Sequence, residues 1–323
     1  MVLTMEFESK YALIDNVNIH YVSGGPTSAE ANPTKNALGP TFIFLHGFPE
    51  YWQTWQAQLD YFCRDHHVIA PDLPGYNLSD KPEDIAFYLV PHLIEFFAKF
   101  IQTVSPTKKV YLVAHDWGGA IAWPLAAFYP QYIAKLVILN AAHPSTFTRE
   151  MINNPIQRKK SEYIHQLISA DAENLLTQNN YQYLSDKMLM SENADIFDVE
   201  TTHRYQQVWQ QPNAINGMLQ YYRAMPQLAV TADTTAHVEN GDNKNTLAQV
   251  SELSKMRIPN IRIHVPTLIL WGEHDQAFVN DNLNGIEQYV PDCLTQRFSD
   301  ASHWLMHEKS PEINKAIAQF IES

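Results

Sequence analysis

Short apolar runs alternate with stretches of helical periodicity through the first 140 residues. Segments 41–46, 67–72, 109–115 and 133–140 are rich in Phe, Ile, Leu and Val, as strands buried on both faces require. Between them, segments 51–62, 87–104 and 120–128 carry apolar residues at three- and four-residue spacing, which predicts helices. Two further strands, 7–15 and 17–23, precede the series and meet at a turn at Asp15-Asn16. Residues 24–40, with many Pro, Asn, Ala and Thr, form a loop by composition. This alternation implies an α/β class with a mostly parallel sheet and helices on both faces.

The rhythm breaks at about residue 145. From there to 262 the chain is polar and mainly helical in pattern, with many Gln, Asn and Tyr. Within it, 231–245 is dominated by Thr, Asn, Asp and Gly and predicts an exposed excursion. Strands at 266–271 and 295–298 and helices at 283–289 and 310–321 then restore the first pattern. The expected organisation is a sheet domain of residues 1–144 and 263–323 with a helical cap, 145–262, inserted between its halves. Such a cap would lie over the carboxyl ends of the strands, where open α/β sheets bind ligands.

Composition narrows the function classes. Hydrophobic residues make up 45% and charged residues 18% of the 323 positions, enough to bury a core. A formal charge of −13 argues against tracking nucleic-acid phosphates, which needs a basic face. Cys63 and Cys293 are too few for a disulfide framework and are expected to be free. The first eleven residues lack the apolar core of a signal peptide, and no apolar stretch approaches about 18 residues. A cytoplasmic protein without a membrane partner is expected. No His or Cys spacing matches a metal site, so no metal or organic cofactor is expected either. A homodimer remains open.

Three strand ends carry the candidate chemistry. The first is Ala114-His115-Asp116-Trp117-Gly118-Gly119, between a strand and a helix. This is the pattern of a nucleophile elbow, with small flanking residues and Asp where esterases carry Ser. An Asp at such a junction is also what an ordinary helix N-cap provides. The second is His46-Gly47-Phe48-Pro49-Glu50. In an elbow enzyme this loop lends one backbone amide, here that of Phe48, to an oxyanion hole completed by the amide of Trp117. Its bland reading is a Gly-Pro turn; a cis Phe48-Pro49 peptide is expected. Trp117, His46 and Pro49 are expected to line the substrate pocket. The third is the pair Asp275 and His303, each just after a strand. The order Asp116, Asp275, His303 is that of nucleophile, acid and base, with Glu273 a weaker candidate for the acid. Nothing acidic follows the strand ending at Asn140.

A carboxylate nucleophile changes the reaction. It is a poor attacker of carbonyls, because it also leaves readily, but it displaces a strained or good leaving group from a saturated carbon. The resulting ester can then be hydrolysed by water that His303 activates, with the oxyanion amides in place. This disfavours esterase, lipase and protease.

These motifs, with Trp52 and Trp55 behind the His46 loop, resemble the soluble epoxide hydrolases of the α/β-hydrolase fold over nearly the whole chain. The resemblance implies a small apolar epoxide and water as reactants, with cap tyrosines that protonate the epoxide oxygen. Leu219-Gln220-Tyr221-Tyr222-Arg223-Ala224 is similar to the family's second-tyrosine motif, which implies that Tyr222 is one donor. Tyr163 in Ser161-Glu162-Tyr163-Ile164-His165 aligns best with the other, and His165 is the alternative, since one subgroup of the family uses histidine there. Haloalkane and fluoroacetate dehalogenases share the Asp-His-Asp set and are the rival reading. The first group holds halide with a residue like Trp117 plus an Asn after His-Gly or a second cap Trp. Here Phe48 occupies the Asn place and only Trp209 is left as a second Trp. The second group has Arg after the nucleophile, where Trp117 stands. A non-catalytic ligand-binding relative would be expected to lack part of the set.

Overall fold

The protein is described here from a computed structural model covering residues 7–26, 39–189, 196–225 and 256–323; the excursion expected at 231–245 lies outside them. Eight strands form one sheet: β1 (Glu8–Ile14), β2 (Val17–Gly24), β3 (Phe42–Leu45), β4 (Val68–Pro71), β5 (Val110–His115), β6 (Ile133–Leu139), β7 (Thr267–Gly272) and β8 (Cys293–Phe298). Their spatial order is β1-β2-β4-β3-β5-β6-β7-β8. β2 is antiparallel to both β1 and β4, and every other pairing is parallel. Helices α1 (Gln56–Phe62), α2 (Val90–Val104) and α3 (Asp116–Phe128) connect the first strands. Among the described residues, six more lie between β6 and β7: α4 (Pro144–Asn153), α5 (Pro155–Lys160), α6 (Tyr163–Leu167), α7 (Ala172–Tyr183, kinked near its end), α8 (Val199–Trp209) and α9 (Ala214–Arg223). Helices α10 (Leu305–Glu308) and α11 (Ser310–Glu322) follow β8.

The pleat explains the apolar runs. Alternate residues point to opposite faces, so Ile43, Leu45, Leu112 and Ala114 join one core cluster while Phe42, Phe44 and Val113 join the other. Phe97 of α2 and Trp123 of α3 fill the first; Leu59 of α1 and Ile317 of α11 fill the second. With both faces covered, β3 and β4 are buried at every residue.

One expectation fails. Residues 283–289 are not a helix but two 3₁₀ turns, Asn280–Leu283 and Ile286–Gln288. Gly285 between them has φ +72°, a left-handed conformation that ends a helical run. The helix expected from residue 120 starts earlier, at Asp116 itself. Both cysteines are free. Among the described residues no helix is long and apolar enough to cross a membrane.

Strand order also places the site. β4 lies on one side of β3 and β5 on the other, so the chain changes direction between them. At such a switch the connections diverge and leave a crevice beyond the carboxyl ends, here those of β3 and β5. The two candidate loops, 46–50 and 114–119, both start there.

Phe44 tests the packing, being fully buried and in ring contact with Phe42 and Trp55. Phe44→Ala should lower the unfolding free energy by about 3–5 kcal/mol in urea titrations. A loss under about 1 kcal/mol would contradict a close-packed face at this position.

Candidate active site

Asp116 is the first residue of α3 and has φ +48°, a region that residues other than glycine seldom occupy. The helix can pack this tightly against β3 because residue 118 is glycine. A Cβ there would lie 2.3 Å from the Leu45 carbonyl oxygen, and the Gly118 N–H donates to His46 O at 3.0 Å. The sharp turn projects the Asp116 side chain into the crevice. It is not an N-cap, since His115 holds that position.

The two carboxylate oxygens of Asp116 differ. Oδ2 accepts the Phe48 N–H at 2.8 Å, while Oδ1 faces His303 Nε2 at 3.8 Å. Trp117 sits in the first turn of α3, where backbone N–H groups have no carbonyl within the helix. The Phe48-Pro49 peptide is cis, as expected. His46 and Pro49, by contrast, line neither of the two cavities that meet at Asp116. His46 is turned inward: its Nδ1–H donates to Gly47 O and its Nε2 accepts the Leu73 N–H, both at 2.9 Å. The Pro49 carbonyl accepts the Trp209 indole N–H at 2.7 Å. Both residues shape the loop from behind.

Asp275 and His303 come together behind Asp116. His303 Nδ1–H donates to Asp275 Oδ2 at 2.8 Å, which leaves Nε2 toward Asp116. Asp275 Oδ1 accepts the N–H groups of Ala277 and Phe278 at 2.6 and 2.9 Å. Asn140 Nδ2 donates to Asp275 Oδ2 at 2.6 Å, and Asn140 Oδ1 accepts the Gly272 N–H. Burial opposes ionisation of Asp275, but the charge and hydrogen bond of His303, together with Asn140 and Phe278, hold its carboxyl below the ordinary range. Glu273 points elsewhere and pairs with Arg297 at 2.6 Å.

Burial also opposes the charge on His303, yet Asp275, Asp116 and Glu50 overcome it and raise its pKa to about 9. Glu50 is itself fully buried. Its Oε1 accepts from Thr54 Oγ1, Tyr205 OH and His307 Nε2 at 2.6, 2.9 and 2.7 Å, and its Oε2 lies 3.5 Å from His115 Nδ1. Burial disfavours the Glu50 charge, but His307 and His115 outweigh that and hold its carboxyl well below the usual range.

Two cavities, about 390 and 360 Å³, share Asp116, Tyr163, Tyr222 and Ala277. The first is apolar, with Ile94, Phe128, Phe147 and Phe278 in its wall. The second carries Phe48, Gln166, Tyr183, Gln276 and His303. The Tyr222 ring packs edge-on against Phe48 and Trp117, and Tyr163 lies beside it with ring centroids 6.3 Å apart. Burial, neighbouring phenol and the Asp116 charge push the Tyr222 hydroxyl well above its ordinary pKa; burial, Asp116 and Asp275 do the same to Tyr163. Both stay protonated at neutral pH. His165 lines neither cavity, because two residues along α6 is about 200° around its axis.

An alpha/beta hydrolase fold family model matches residues 40–310. The chain is 30% identical to Epoxide hydrolase 2 of Caenorhabditis elegans, over 97% of this chain and 79% of that protein. It is 31% identical to the AB hydrolase superfamily protein YfhM of Bacillus subtilis, over 96% of this chain and all of the relative. A crystal structure of the Bacillus megaterium epoxide hydrolase with an inhibitor superposes with TM-score 0.80 at 30% identity, covering 97% of this chain and 100% of that one. The chain belongs to the epoxide hydrolase family of the α/β-hydrolase fold.

In this epoxide hydrolase family member one supporting residue went unremarked at the level of sequence. Asn140 follows β6, at the same kind of strand end as Asp116 and Asp275, and its amide reaches the Asp275 carboxylate. Position at a carboxyl end was the available signal; an uncharged side chain masked it. Among the described residues, no cluster of His, Cys, Asp and Glu could hold a metal ion.

The raised His303 pKa has a stability consequence. The folded state favours the imidazolium, so this contribution is fully present below about pH 6.5 and is lost as pH rises through about 9. Wild type should therefore lose about 2–3 kcal/mol across that window that His303→Gln does not lose, as measured by urea unfolding at each pH. Parallel pH dependences would contradict the assignment.

Proposed function

We propose that the protein opens an epoxide to a vicinal diol in two steps through an ester on Asp116. The observation that carries this is the unequal carboxylate. Phe48 holds Oδ2, while Oδ1 faces His303 Nε2, and Tyr163 and Tyr222 line the same cavity as both residues. In the first step Oδ1 attacks an epoxide carbon in line with the breaking C–O bond. A cap tyrosine gives its proton to the departing oxygen, so an alkoxide is never released into an apolar wall. In the second step water loses a proton to His303 Nε2 and attacks Cγ of the ester. The oxygen that becomes negative is Oδ2, already on the Phe48 amide, with the Trp117 amide as second donor.

The electrostatics support this order. Before reaction His303 is an imidazolium and cannot act as a base. Esterification removes the Asp116 charge, one of those that raise the His303 pKa. The imidazolium then gives up its proton, which restores the phenol through solvent, and becomes the base just as the ester is ready for hydrolysis. As the tetrahedral adduct collapses, His303 Nε2 returns the proton taken from water to the departing oxygen, which releases the diol, and the carboxyl proton left on Asp116 then passes to the neutral His303 and restores the starting pair.

Residues 145–262 act in this reading as a cap that brings Tyr163 and Tyr222 to the nucleophile. The apolar cavity suits a small, neutral epoxide with an aromatic or aliphatic substituent. Dehalogenation is disfavoured by Trp209. A halide needs a second N–H beside Trp117, and the Trp209 indole N–H is already bound to Pro49 O.

Two experiments test the reading. Incubation with styrene oxide should yield phenylethanediol, whereas a bromoalkane should yield little bromide; bromide without diol would reverse the choice. His303→Gln should still be alkylated but hydrolyse slowly, so intact-mass spectrometry should show the protein heavier by the mass of the epoxide. An unmodified mass with an epoxide that wild type turns over would exclude the covalent route.

A further inference from the structure

The loop after β4 and helix α9 touch at two glycines, backbone against backbone. A Cβ on Gly217 would lie 2.6 Å from the Gly75 carbonyl oxygen, and one on Gly75 would lie 2.8 Å from the Gly217 carbonyl oxygen. Real side-chain carbons do not approach that closely. Gly75 also has φ +93°, which any other residue would resist. One turn along the same face of α9, the Tyr221 hydroxyl donates to Pro74 O at 2.9 Å. Gln220 Nε2 donates to Glu83 O at 3.3 Å. These anchors fix α9 against the sheet domain immediately before Tyr222.

The loop beneath is tied to the nucleophile. The Leu73 N–H donates to His46 Nε2, His46 Nδ1–H donates to Gly47 O, and the next amide, that of Phe48, donates to Asp116. Trp117, beside the nucleophile, packs against both Tyr221 and Tyr222, with ring centroids 5.3 and 5.2 Å away. A continuous set of contacts therefore joins the helix that carries Tyr222 to the carboxylate that Tyr222 faces.

We infer that the Gly75–Gly217 contact sets the depth of α9 and so holds the Tyr222 phenol at the reacting oxygen, making Gly217 a positioning residue for ring opening. The inference rests on the proton-donor role proposed for Tyr222. A methyl group at 217 has no room, so α9 must rise, and a displacement on the order of 1 Å of a catalytic group can cost about 100-fold in rate. The loss would be selective. Ring opening needs Tyr222 on α9, whereas ester hydrolysis needs His303, Asp275 and the Phe48 amide, none of which α9 carries. Alanine is also a better helix former than glycine, so a weaker helix would not explain a loss.

Rapid-quench mass spectrometry of single turnovers with styrene oxide separates the two steps. Gly217→Ala should form the alkyl-enzyme about 10–100-fold more slowly than wild type and hydrolyse it within about threefold of the wild-type rate. Combined with Tyr222→Phe, it should add little further slowing, because both changes act on one group. Equal slowing of both steps, full additivity, or wild-type alkylation would each overturn the positioning role. Tyr222→Phe alone guards the premise. If it alkylates at the wild-type rate, the donor reading fails; if it is slow while Gly217→Ala is not, only the positioning fails. Should Gly217→Ala not fold, Tyr221→Phe removes the Pro74 hydrogen bond alone and should slow alkylation severalfold with hydrolysis unchanged. Wild-type alkylation in that variant would count against the inference in the same way.

Discussion

A single hydrogen bond, from the Phe48 amide to Asp116 Oδ2, decides what this carboxylate can do. A free carboxylate has two equivalent oxygens; this one does not. The bond requires Asp116 to stand out of the β5–α3 turn at positive φ, and it requires loop 46–50 to run beside that turn. Both conditions follow from β3 and β5 being parallel neighbours whose ends open at one crevice. Strand order, a strained residue and a loop amide thus converge on one oxygen atom, and the cavities are arranged around the other.

The second organising force is charge crowding. Asp116, Asp275 and Glu50 surround a single histidine and all favour its protonated form. Burial works against the charges of Asp275, Glu50 and His303, so these groups are stable there only because they answer one another. Asp275 is held by four donors, from His303, Asn140, Ala277 and Phe278. Among the described residues Asp116 makes a direct 2.8 Å bond only to the Phe48 amide, while His303 Nε2 stays 3.8 Å away, too far for a hydrogen bond. A carboxylate held by many donors is a good orienter; one held by few keeps its reactivity. Asp275 and Asp116 differ in just that way.

Much of this was legible in the sequence, for identifiable reasons. Buried parallel strands need unbroken apolar runs, so β3, β4, β5 and β6 announce themselves, and the residues just after them become candidates by position alone. Asp116 was visible because the elbow needs small neighbours; Asp275 and His303, because they follow strands. Where local pattern does not determine contact, the sequence was mute. Glu50 finds Tyr205 and His307 far along the chain, and no spacing encodes those meetings. Asn140 has a side chain common in loops. The choice between Tyr163 and His165 depends on how α6 is rotated, which its neighbours set. Segment 283–289 has helical spacing, but the left-handed Gly285 interrupts it.

Glu50 carries a last implication. Tyr205 belongs to α8 and His307 to α10, so one buried carboxylate ties an inserted helix to the helix that follows β8. Swinging α8 away would take the Tyr205 donor from a buried carboxylate that Thr54, His307 and His115 still face, at a cost of about 1.5–3 kcal/mol. That bond and the Trp209 indole on Pro49 O tether α8 at two points to the loop after β3. Phe128 and Gln276, each exposed and each in the wall of one of the two cavities, stand where those cavities meet solvent.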